Sequence, residues 1–149
     1  MILALMLAAS LFSDLRWREV GPMRGGRTKA ATGVTQKAGL FYIGAVNGGV
    51  FRSDDYGRTW KPIFDGQPTG SIGAIAVAPS NPSVIYVGSG EGLQRPDLST
   101  GDGVYRSSDA GATWKHLGLR DGQQIPQIAV DPKDPTRLFV AVLGHPYGP

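Results

Sequence analysis

The chain has no cysteine, which excludes disulfides, thiolate metal sites and a cysteine nucleophile. It has no run of Lys or Arg and no basic helix. Its 15 basic and 12 acidic residues are interleaved and leave a formal charge of +3, too weak and too mixed a field to point to nucleic acid. No apolar stretch reaches the ~20 residues of a membrane-spanning helix. After residue 13 no apolar spacing of three and four is sustained, which disfavours helical repeats. There is no His/Glu pair at metal-ligand spacing and no Gly-x-Ser-x-Gly elbow, so neither a metal nor a cofactor is expected.

Glycine, at 22 residues, and proline, at 11, are plentiful among the 149 and spread throughout, as in a chain of short strands joined by many turns. Residues 1–13 open with the apolar run Met1 to Ala9 and end in Ser10-Leu11-Phe12-Ser13. They read as a signal-peptide remnant, with Ala8-x-Ser10 as a cleavage signal, and predict a secreted or periplasmic protein.

Self-comparison is the most informative step. Ser53-Asp54-Asp55-Tyr56-Gly57-Arg58-Thr59-Trp60 recurs 54 residues later as Ser107-Ser108-Asp109-Ala110-Gly111-Ala112-Thr113-Trp114. Each copy lies between strand-like runs, Gly49 to Arg52 and Trp60 to Phe64 in one, Gly103 to Arg106 and Trp114 to Gly118 in the other. A second block repeats as well, Ile75-Ala76-Val77-Ala78-Pro79-Ser80-Asn81-Pro82 and Ile128-Ala129-Val130-Asp131-Pro132-Lys133-Asp134-Pro135. Its Pro-x-Asn/Asp-Pro element is a turn signal between β-rich runs.

One unit therefore reads as four antiparallel strands, A to D, in about fifty residues, which is a propeller blade. The predicted fold is all-β, a β-propeller present here as about two and a half blades. A lone D strand covers 15–21, blade one 28–64, blade two 72–118 and the start of blade three 125–143. Trp17 stands 14 residues before Ala31, much as Trp60 and Trp114 stand before their A strands. Such an opening D strand would complete the last blade and hide its edge. Its partner strands would belong to the rest of the chain beyond Pro149.

The Ser-x-Asp-x-Gly-x-Thr-Trp pattern resembles the Asp box, or bacterial neuraminidase repeat, of sialidases, xyloglucanase-type glycosidases and sortilin-like propellers. Both boxes match in full, at Ser53, Asp55, Gly57, Thr59 and Trp60, and at Ser107, Asp109, Gly111, Thr113 and Trp114. The resemblance implies structural turns: Asp bonds turn N–H groups, Gly supplies positive φ, and Trp carries apolar area between blades. Nothing in them resembles a calcium loop.

In those families ligands meet the face opposite the boxes, formed by the B–C and D–A loops. Here these loops are 22–29, 46–48, 65–71, 88–102, 119–124 and 144–149. The B–C loop of blade two is the long one, and a long polar loop on that side is a site candidate. The candidates are Glu91, Arg95, Asp97 and Asp102 on it, with Arg24 and Arg27 near the channel mouth. His116 is expected to be exposed on an outer strand, and His145 lies on the loop side. The favoured function is a secreted scaffold binding peptide, protein or glycan; the alternative is a glycoside hydrolase. Against the xyloglucanase type, Val46-Asn47-Gly48-Gly49 holds no acid where the resemblance calls for an Asp, and Asn47 cannot move a proton. Against the sialidase type, Arg24 is followed by Gly25-Gly26 rather than Ile-Pro.

Overall fold

A computed structural model describes residues 21–22, 24–93 and 97–145. The expected signal-peptide remnant, the opening D strand through residue 20 and candidate Arg95 lie outside these residues. The first sheet comprises β1 (Thr28–Gly33), β2 (Phe41–Ala45), β3 (Gly49–Ser53) and β4 (Lys61–Pro62). The second comprises β5 (Ile72–Val77), β6 (Ile85–Ser89), β7 (Val104–Ser107) and β8 (Lys115–Gly118). Strands β9 (Gln127–Val130) and β10 (Leu138–Ala141) form a two-stranded third sheet. Neighbours in every sheet follow sequence order and pair antiparallel, as propeller blades do.

The repetition extends to single hydrogen bonds. Each A–B turn is closed by the same amide–carbonyl pair: Val34 N to Leu40 O (3.1 Å), Ala78 N to Val84 O (2.9 Å) and Asp131 N to Arg137 O (2.9 Å). The Asn/Asp of the turn signal accepts from the amide two residues on, Ser83 to Asn81 Oδ1 (3.1 Å) and Thr136 to Asp134 Oδ1 (2.9 Å). Strand β4 spans only two residues because Pro62 has no N–H to donate. Ile63 N still reaches Val50 O at 2.9 Å and keeps the chain alongside β3.

The core lies between sheets rather than within one, since a lone sheet cannot bury its own face. Blade one meets blade two through Val50, Phe64, Ile72, Val87 and Tyr105 in one cluster, and Val34, Leu40, Tyr42 and Ile85 in another. Blade two meets blade three through Ala74, Ala78, Val84, Tyr86, Val104, Ile125 and Ile128. Strand β5 packs against both β1 and β9, so the A strands line the inner side of the ring.

Glycine permits this stacking at two equivalent points. A Cβ on Gly44 would stand 2.9 Å from Ile72 Cβ, and one on Gly88 would stand 2.8 Å from Ile125 Cβ. Strand B of each blade is thus bare where the next blade's isoleucine enters. The box tryptophan works at the outer end of the same interface. Trp114 Nε1 donates to Ile63 O at 2.7 Å, and its ring meets Phe64 edge-on at 5.1 Å between centroids. The corresponding face of blade one, with Phe41, Tyr56 and Trp60, forms an apolar groove.

Candidate ligand face

The box turns join β3 to β4 and β7 to β8, at one end of the blades. Ser53 Oγ donates to Asp55 Oδ1 (2.8 Å) and accepts from Gly57 N (2.8 Å). Asp55 also accepts from Thr59 N (2.9 Å) and Thr59 Oγ1 (2.7 Å). Ser107, Asp109, Gly111 and Thr113 repeat the pattern at 2.7, 2.8, 2.8 and 2.5 Å. Tyr56 and Ala110 adopt φ of 62° and 57°, and the glycines that follow them are also left-handed. The threonine hydroxyl and amide bonds, then the serine, hold each Asp carboxyl down to about 2. These carboxylates are consumed by the turn they shape. The box also ties blades together, because Ala110 O of blade two accepts from Arg52 Nη1 of blade one at 3.1 Å.

The opposite end carries the B–C and D–A loops, which are interwoven. Gly49 N donates to Gly70 O (2.8 Å), Gly90 N to Ser71 O (2.8 Å), Ile125 N to Ser89 O (3.1 Å) and Gly101 N to Gln123 O (2.8 Å). On this face of blade one opens a cleft of about 230 Å³, bordered by Arg24, Asn47, Asp65, Gln67, Pro68 and Thr69. Arg24 grips Asp65 with two bonds of 2.7 and 3.0 Å while its guanidinium lies 5.6 Å from the Phe51 ring centroid. That pairing, led by the side-chain hydrogen bonds, lowers the Asp65 pKa and raises that of Arg24. The rest of the border is uncharged, with the polar Asn47, Gln67 and Thr69 beside the apolar Phe64 and Pro68, a lining suited to ligands that carry both hydroxyls and C–H faces.

The sequence-named residues separate into distinct environments. Arg24 borders the cleft. Arg27 is half-exposed at its side chain but pairs with Glu91, which is fully buried rather than displayed on a solvated loop. Burial is tolerated because Glu91 has a cation and also accepts from Ser99 N at 3.2 Å. Asp102 accepts from the buried Tyr105 hydroxyl (2.8 and 2.7 Å), from Ser89 Oγ (3.4 Å) and from Arg120 (3.2 Å). Burial and this carboxylate raise the Tyr105 pKa. Asp97 is exposed. His116, expected on an exposed strand, is half-buried instead. Its ring meets Tyr105 edge-on at 4.9 Å, and Nε2 stands 2.8 Å from Asp102 O.

Sequence reading did not single out Asp65, Gln67 or Thr69. The signal for Asp65 was its place at the start of a loop already assigned to this face. Among the described residues no group of three or more His, Asp or Glu could hold a metal ion. None of their helices is long and apolar enough to cross a membrane.

The comparisons with known proteins agree with this architecture. A protein-family model described as the BNR-Asp box repeat matches residues 50–63. An oligoxyloglucan-reducing end-specific xyloglucanase of Emericella nidulans is 31% identical over 114 residues, 73% of this chain and 14% of that protein. A xyloglucanase of Acetivibrio thermocellus is 29% identical over 115 residues, 68% of this chain and 13% of that protein. Among solved structures, the GH74 xyloglucanase from Xanthomonas campestris superposes with a TM-score of 0.59 at 26% identity, over 85% of this chain and 20% of that one. An ancestral GH74 enzyme superposes with a TM-score of 0.59 at 17% identity, over 76% of this chain and 16% of that one, a likeness of fold. The chain spans about one seventh of the length of the curated relatives it matches.

Proposed function

We propose, from the premise that this chain is a run of Asp-box repeats folded into β-propeller blades, that its loop face binds a neutral carbohydrate chain outside the cell. The observation that carries the proposal is the cleft of blade one. It lies opposite the box turns, and a fixed Arg24–Asp65 pair stands beside the neutral groups of Asn47, Gln67 and Thr69. Sugar hydroxyls both donate and accept, and this border offers both in fixed geometry. The similarity to xyloglucanases supports a xyloglucan-type glycan as the ligand class.

Binding, not hydrolysis, is the part of this function assigned to these blades. Glycoside hydrolysis in general needs two carboxyl groups across the scissile bond. Asp65, Glu91 and Asp102 each hold a loop through an arginine, and Asn47 is neutral. The relatives nevertheless support a second reading, in which a further part of the ring supplies the catalytic pair. Reducing-sugar release from xyloglucan by the full-length protein, set beside calorimetric binding, separates the two. The first reading expects binding without turnover. Turnover by the full-length protein that persists in Asp65→Asn would establish the second.

A further inference from the structure

Asn47 and Glu91 occupy the same place in successive blades, each the second residue after its B strand. Both turn toward one residue. Asn47 Nδ2 donates to Ser99 Oγ at 2.9 Å, while Glu91 Oε2 accepts from Ser99 N at 3.2 Å. The Glu91 amide also donates to Ser99 O at 3.1 Å and to Gln124 Oε1 at 2.7 Å. Gln124, itself buried, accepts from Gly92 N at 2.8 Å and donates to Ser99 O at 3.2 Å. Arg27 of blade one closes the arrangement on Glu91 Oε1. Ser99 is therefore clamped by blade two and by the loop that leads into blade three, and presents its hydroxyl to a side chain bordering the cleft of blade one.

We infer that Glu91 is a positioning residue for that cleft: through Ser99 it fixes the Asn47 amide, so blade two sets the affinity of a site on blade one. A buried carboxylate paired with arginine holds a backbone amide more firmly than a solvated loop could. Asn47 stands at φ 57°, a left-handed conformation that asparagine tolerates better than most residues, so what the clamp adds is the direction of its side-chain amide. The role in affinity rests on the saccharide reading above; the coupling between blades does not.

The test uses the full-length protein with Ser99→Ala, Ser99→Thr and Glu91→Gln. Hydrogen exchange is followed over residues 46–49, and binding of a xyloglucan heptasaccharide is measured by calorimetry. Ser99→Ala is expected to speed exchange at 46–49 several-fold and weaken binding several-fold, with the melting temperature nearly unchanged. Ser99→Thr, which keeps the hydroxyl, is expected to restore both. Glu91→Gln should reproduce the Ser99→Ala pattern; if it does not fold, the serine pair carries the test. Unchanged exchange at 46–49 in Ser99→Ala overturns the coupling, whatever the saccharide does. Faster exchange with wild-type affinity overturns the role in binding. Faster exchange in a protein whose wild type binds no saccharide supports the coupling and rejects the saccharide reading alone.

Discussion

The box aspartates show how much a single side chain can organise when its partners are local. Asp55 and Asp109 each bond an amide and a hydroxyl four residues ahead, inside an eight-residue motif. That locality made the box and its turn legible in the sequence. Both carboxyls titrate at about 2, below the ~4 of an unfolded Asp, so their stabilisation is present above about pH 4 and is lost as pH falls toward 2. Asp109→Asn should melt several degrees below wild type at neutral pH, and thermal melts from pH 7 to pH 2 should show the gap closing between about 4 and 2. A gap independent of pH would contradict this account. Asp65 and Glu91 were less legible for the opposite reason. Their arginines lie 41 and 64 residues away, a distance that composition and spacing do not bridge.

At the scale of the strand and turn, the fourfold antiparallel pattern was readable because turn signals and β-rich runs alternate. The contact between blades was not, since it depends on which strand-B position faces which isoleucine. Gly44 and Gly88 mark it. Alanine at either should overpack the interface and cost about 1–3 kcal/mol, measured by urea unfolding of the full-length protein. A neutral result at both would show that the blades are more loosely stacked than described. The two C strands also differ in one pairing. Arg52 makes two bonds to Asp54, at 2.9 and 2.7 Å, whereas in the repeat Ser108 stands at the Asp54 position and the buried Nε of Arg106 has no hydrogen-bond partner. Ser108→Asp should restore the pair and stabilise by roughly 0.5–1 kcal/mol, read in the same unfolding experiment. No gain would mean that the Arg106 head remains solvated.

Across the whole molecule, the two ends of the blades do different work. Box turns, with Arg52 and Trp114, fasten blade one to blade two at one end, while the loops at the other leave a cleft and spend carboxylates on mutual support. The division between a box end and a loop end was visible in the sequence from the four-strand blade with its boxes in the C–D turns, and loop length singled out one loop: three residues join β2 to β3, while 90–103 join β6 to β7. The cleft itself was not visible, because blade one contributes its short loops, and the long loop reaches it only through Ser99. The most direct measurement titrates a xyloglucan oligosaccharide into the full-length protein and into Arg24→Ala and Asp109→Ala. The account predicts that Arg24→Ala weakens binding about tenfold or more, as expected for a lost charge-assisted contact, with little change in melting. It predicts that Asp109→Ala lowers the melting temperature and leaves affinity intact. Binding lost in Asp109→Ala at unchanged melting, or undiminished in Arg24→Ala, would contradict it.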